Sequence, residues 1–263
     1  MKKFKLNIFV LMIFLLIALS SCVNHDKEIL KRYQNISEYG DVIYAERADT
    51  FLQIIGLSEK GKQTTHLVIP SWINNKYVMG VGITADQEFD DIFRLDYFPR
   101  EGKDSFVNNN VEVIYNGAHH IHNGVIDEIV KSGNVKKIVN YCFECGPSAA
   151  DCFPYTIYDK YCDTIVVSPE YYENNECKEN VVPANVIFYT DSIKKDVYWI
   201  DYYEENSLIF EPPAPSEDGY NFKGWRTEAC EYHVGLWNFK EDMFIYDNEN
   251  NTPLVFYPIY EHK

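Results

Sequence analysis

Basic residues are scarce in this chain: 24 Lys and Arg stand against 40 Asp and Glu, a formal charge of -16. Neutralising nucleic-acid phosphates takes a surplus of Lys and Arg, so DNA and RNA are excluded as expected partners. Beyond the first two dozen residues, no apolar run approaches the roughly 20 residues that a spanning helix needs. There is also no Gly-x-Ser-x-Gly elbow, no phosphate loop and no dinucleotide fingerprint. The chain therefore offers no signature of turnover chemistry, and the sequence reading expects no cofactor and no enzyme.

What is present begins at the amino terminus. Lys2, Lys3 and Lys5 precede an apolar stretch from Ile8 to Leu19, which is too short for a comfortable span. A charged start, a short apolar run and small residues make a secretory signal over residues 1–21. Its end, Leu19-Ser20-Ser21-Cys22, resembles the bacterial lipobox. That resemblance implies cleavage before Cys22, lipid (palmitate among it) on its new amino terminus, and a cell-membrane location on the extracytoplasmic face. Stable anchoring needs more than one acyl chain, each buried methylene contributing about 0.8 kcal/mol. Removing residues 1–21 takes away three lysines and no acid, so -16 becomes -19. Anionic headgroups would repel so acidic a chain, which leaves the lipid as the membrane contact.

The mature chain reads as mainly β, with an α+β alternative. Residues 22–41 are polar and read as a tether that turns helical around Lys27–Tyr33. From Val42 apolar and polar residues alternate among β-branched and aromatic types, the pattern of strands. Pro70 ends one strand, because proline cannot donate to a ladder. Asn74-Asn75 turns the chain into the next strand, from about Tyr77 to Val81. Phe89, Ile92, Phe93 and Leu95 could line one short amphipathic helix stopped by Pro99. Four strand-like stretches then recur, starting at Val111, Val135, Cys162 and Ala184. Their spacing of 24, 27 and 22 residues lies in the range of short stacked repeats. Such a unit cannot cover its apolar face alone, so neighbours must stack.

The stretches at 66–82, "VKKIVNYCFECG" and "DTIVVSPEYY" resemble the BspA-type leucine-rich repeat, over roughly residues 42–190. The resemblance implies a stack of short strands, here an irregular one. The carboxy-terminal segment, 194–263, carries a proline corner from Pro212 to Pro215 and Gly219-Tyr220-Asn221-Phe222-Lys223-Gly224-Trp225. Trp237-Asn238-Phe239 and an aromatic last strand, Val255 to Tyr260, follow. These motifs resemble the Listeria–Bacteroides, or internalin B type, repeat. That family's fold is a small β-grasp-like module found on bacterial surface proteins. By this reading Gly219 and Gly224 supply backbone freedom, and Tyr220, Phe222 and Trp225 supply buried rings to a module that folds by itself.

The remaining candidates for chemistry are sparse. His120 and His122 sit two apart, so on a strand they share a face, a half-site for zinc. The hydrolase pattern His-x-His-x-Asp-His fails next, because Gly124 and Val125 occupy the required places. Cys142-Phe143-Glu144-Cys145 has no second CxxC, and these two with Cys152, Cys162, Cys177 and Cys230 make six cysteines whose many possible pairings leave none assigned. Asp90-Asp91, Glu204-Glu205 and Glu217-Asp218 are adjacent acids, which a strand would point to opposite faces. The two resemblances together imply a lipid-anchored surface protein that presents an adhesion or binding surface to an extracellular protein or glycan. The alternatives are a metal-dependent hydrolase using His120 and His122, or a spacer that binds nothing.

Overall fold

The computed structural model describes residues 34–48, 51–82, 106–118, 120–121, 129, 133–141, 162–177, 179–191, 196–227, 235–245 and 252–263. The described residues are mainly strands, in three sheets, with one short helix. They group into two units interleaved along the chain. One draws on Met1–Thr64, Pro70–Val111 and His120–Asn134, the other on Thr65–Ile69, Glu112–His119 and Val135–Lys263.

The first unit holds a six-stranded sheet. Its members are β1 (Gln34–Tyr39), β2 (Val42–Ala48), β3 (Phe51–Leu57), β5 (Trp72–Ile73), β6 (Lys76–Val81) and β8 (His120–Ile121). The order is β1-β2-β3-β6-β5, with β8 also on β6. Strand β1 occupies part of the segment that the sequence reading assigned to a tether. Its antiparallel pairing with β2 completes the edge of the sheet, although residues 35–39 stay exposed. The Asn-Asn turn is where the sequence places it: Asn74 and Asn75 have φ of 51° and 61°, the two left-handed residues that a tight hairpin requires. Buried Asn108 clamps the neighbouring loops. Its amide donates to the carbonyls of Gly61 and Thr64, and its side-chain oxygen accepts from the amides of Asn110 and Val111.

The second unit holds two sheets. One is entirely parallel and follows chain order: β4 (His66–Ile69), β7 (Val113–Asn116), β9 (Lys137–Asn140), β10 (Thr164–Val167) and β11 (Val181–Pro183). The register aligns Leu67, Ile114, Ile138, Ile165 and Val181 in one column, all buried. Each strand is only three or four residues long, so stacking identical positions is what gives it a core. At the carboxy-terminal ends of β7 and β9 the Asn116 amide donates to Asn140 Oδ1 at 3.2 Å. Helix α1 (Pro169–Asn174) follows β10, with Ser168 as N-cap and Pro169 at its first turn. By sequence alone residues 170–180 read as a polar loop, and the capped helix takes up the first half of it.

The other sheet has the order β13-β12-β15-β14: β12 (Val186–Tyr189), β13 (Val197–Asp201), β14 (Tyr220–Thr227) and β15 (Leu254–His262). Its two central strands, β12 and β15, run parallel and the outer pairs antiparallel, the strand order expected of a β-grasp-like sheet. Two sequence expectations change here. The stretch from Ala184, the last of the four recurring stretches, does not follow β10 in the parallel stack. Strand β11 takes that place, 16 residues after its β10 partner (Ile165 to Val181), and β12 opens the carboxy-terminal sheet, ahead of the expected start at residue 194. Short apolar strands of both sheets share one alternation pattern, so pattern alone cannot say which neighbour each will pair with.

Nor does the carboxy-terminal sheet keep a core of its own. Tyr115, Val139, Tyr141 and Val166 of the parallel-sheet region join Phe188, Trp199, Trp225, Trp237, Phe244 and Phe256 in one buried cluster. Trp199 sits 4.5 Å from the Tyr115 ring and 4.4 Å from that of Tyr141. The face of the stack carrying Tyr115, Val139 and Val166 is thus covered by the chain's own last quarter.

Candidate functional site

Two arrangements of the second unit carry its chemistry. The first is interior. Asp201 closes β13 fully buried. Its Oδ2 accepts the Tyr115 hydroxyl at 2.8 Å, and its Oδ1 accepts Lys137 Nζ at 2.6 Å and the Tyr202 amide at 2.7 Å. Lys137 Nζ also donates to the Tyr202 carbonyl at 3.2 Å and lies 4.5 Å from the centre of the Tyr203 ring. Burial, then the Asp201 charge, pushes the Tyr115 and Tyr203 hydroxyls well above the usual phenol range. His66 stacks flat on Phe210 at 4.9 Å, and burial followed by the Lys137 charge pulls its basicity down. The carboxylate is saturated with donors and the ammonium is committed to it, so this network ties one sheet to the other rather than moving protons. Sequence reasoning missed it, since a long-range Lys–Asp pair leaves no local trace. Alternation in the sequence puts Tyr198, Ile200 and Tyr202 on one face of β13; the structure buries Trp199, Ile200 and Asp201 and leaves Tyr198 and Tyr202 half-buried.

The second arrangement explains the Gly-Tyr-x-Phe-x-Gly-Trp spacing. Phe222 pairs with Tyr260 and Gly224 with Ile259, so Lys223 is the extra residue of a β-bulge. An unbroken strand would send residues 222 and 225 to opposite faces. The bulge brings both rings to one face, 5.4 Å apart. Gly224 holds φ at +142°, and a Cβ there would stand 3.2 Å from a Leu236 methyl carbon. Gly224→Val should therefore lower stability by about 1–3 kcal/mol in a urea melt. An unchanged midpoint would show that the bulge tolerates a side chain. Gly219, at φ +82° with nothing near its missing Cβ, sets the turn before β14 and accepts from the Lys263 amide at 3.0 Å.

From the bulge a run of edge-to-face rings leaves the core. Trp225 is fully buried and half-buried Phe222 stands at 66° to it. Phe222 meets Tyr260 at 6.0 Å and 68°, and Tyr260 meets Tyr220 at 6.3 Å and 62°. Tyr220 meets His262 at 5.2 Å and 71°. Each pair sets a positive ring edge against a negative face. The sequence reading buried Tyr220 with the rest, but it lies at the open end of the run, 41% exposed. Burial, then the charges of Glu217 and Asp191, push the Tyr260 hydroxyl up. Trp237 and Phe239 pack inside, on Phe256 at 5.1 and 6.1 Å.

The other candidates are placed as follows. His120 lies on β8 beside Gly80 of β6, and His122 is outside the described residues. Among the described residues no group of His, Cys, Asp and Glu could hold a metal ion. The signal segment, Cys22, the helix expected at Lys27–Tyr33, the segment of Phe89 to Pro99, Asp90-Asp91, Cys142, Cys145, Cys152 and Cys230 are also outside them. Cys162 and Cys177 are free thiols. The Cys162 thiol donates to the carbonyls of Lys136 and Thr164, and burial pushes it up to about 11. At pH 8 Cys162 should alkylate at least about a hundredfold more slowly than in the urea-unfolded chain, because only the thiolate reacts. Equal rates, read by peptide mass mapping, would contradict that burial.

No described helix is long and apolar enough to cross a membrane. No protein-family model, curated protein or solved structure matches the chain.

Proposed function

We propose that this is a lipid-anchored protein of the extracytoplasmic membrane face that presents the open end of β14 and β15 to an extracellular protein or glycan. The observation that carries the reading is the ring series that begins at buried Trp225 and ends on exposed Tyr220. A spacer needs nothing beyond the buried half of that series, and large apolar groups at a sheet's end favour contact with a partner. The covered face of the parallel stack supports the same choice, since Tyr115, Val139 and Val166 are already occupied. The anchor rests on Leu19-Ser20-Ser21-Cys22.

Two measurements test the two halves. Labelled palmitate should enter the membrane-bound chain and be lost, with release from the cell, in Cys22→Ala. Label-free chain retained on the membrane would refute the anchor. The full chain in mild detergent should bind a member of a peptide or glycan array in a manner that Tyr220→Ser with Tyr260→Ser weakens at least about tenfold. Binding untouched by that pair would move the surface elsewhere.

A further inference from the structure

We propose that the partner seated at Tyr220, Phe222, Tyr260 and His262 is a basic polypeptide segment, whose lysine or arginine side chain lies against the exposed end of the ring series. This rests on the binding reading above and names its partner class. Geometry and charge argue for it separately.

The geometry is that of an aromatic run ending at the surface. Tyr220 pairs with His262 and Phe222 with Tyr260 across β14 and β15, so all four side chains stand on one face of the sheet. Neighbouring rings pack edge to face at 62°, 68° and 71°, and Tyr220 and His262 stand at the exposed end of the run. A sugar ring stacks on a flat aromatic face. A cation is attracted to the negative face of an aromatic ring, and the acids beside this exposed end add to that attraction.

The charge around this end has the matching sign. The stretch from Glu211 to Gly219 that leads into β14 contains Glu211, Glu217 and Asp218 and no base. Glu217 and Asp218 are exposed and make no ion pair among the described residues. The Glu217 and Asp191 charges both reach the Tyr260 hydroxyl. Of the nearby cations, Lys223 is held by Glu261 at 2.5 Å and Lys263 follows His262 at the rim. A chain of formal charge -16 adds long-range attraction for a basic partner and speeds encounter.

The test uses the full chain in mild detergent and three probes: an octapeptide of alternating lysine and glycine, the same peptide with its lysines acetylated, and a neutral N-acetylglucosamine hexamer. The lysine peptide should bind and the acetylated one should not. Tyr220→Leu with Tyr260→Leu removes two rings and no charge, and should weaken the lysine peptide at least about tenfold. Glu204→Gln with Glu205→Gln removes two exposed acids elsewhere and should change it less than about twofold. The glutamate pair should melt like the parent, because both are surface groups, and the ring pair, with half-buried Tyr260 replaced by an apolar leucine, should keep one cooperative transition that shows it folded. Should the ring variant hold the lysine peptide as well as the parent, the attraction is diffuse and the proposal fails. Ring-dependent binding of the hexamer alone would also overturn it, while leaving a glycan-binding surface standing. If no probe binds in a ring-dependent way, this surface fails together with the proposal, and lipid on Cys22 is judged separately by palmitate labelling.

Discussion

Residues 185–263 produced alone should show no cooperative melt by calorimetry or near-ultraviolet circular dichroism. The segment contains every strand of the β-grasp-like sheet, but its core is closed by Tyr115, Tyr141, Val139 and Val166 from outside it. Cutting the chain there uncovers Trp199, whose ring lies on Tyr115 and Tyr141, and Phe210, 5.0 Å from Tyr115. Each large apolar side chain returned to water forfeits about 1.5–3 kcal/mol. A domain below about 80 residues rarely holds more than about 3–5 kcal/mol in total, so two or three such losses suffice to unfold it. A sharp transition in the isolated segment would mean that the module closes its own core and that the contact with the parallel stack is dispensable. Stacked strands of the other sheet would suffer in turn, since Val139 and Val166 lie on the face that the segment covers.

Lys137→Met should destabilise the whole chain by about 3–5 kcal/mol. Asp201 is fully buried, and Lys137 is the only cation on it among the described residues. Removing the ammonium leaves an uncompensated carboxylate in the interior, the costly half of a broken buried pair. Asp201→Leu alone should cost a similar amount, while the double variant should recover most of the loss, because two apolar groups replace two charges. Tyr115→Phe should cost only about 1 kcal/mol, one hydrogen bond among several on that carboxylate. Urea melts of the three variants form a double-mutant cycle. If the two single losses simply add in the double variant, the pair does not couple the sheets.

Both effects come from contacts between segments far apart in sequence, and this is where sequence reasoning thinned out. Local signals were dependable. Proline ended β4 at Ile69, two asparagines made the hairpin into β6, and the 24- and 27-residue spacings placed β7, β9 and β10 in one parallel register. The glycines of the carboxy-terminal motif carried real geometric information, since Gly224 adjoins the bulge that turns Phe222 and Trp225 to one side. The open end of β14 and β15 was half legible. The aromatic spacing marked it, but alternation cannot tell the ring that closes a core from the ring that ends a sheet, so Tyr220 was expected inside and stands outside.

By itself the chain of residues determined its strand segments, its turns and its acidity, because propensity, proline and glycine stereochemistry and charge act within a few positions. The tertiary structure alone decided that β12 leaves the parallel stack, that Lys137 finds Asp201, and that two sheets share one aromatic core. Those outcomes depend on which apolar face meets which. Burial is non-directional, so many pairings satisfy the same pattern until packing and the need to partner a buried charge choose among them.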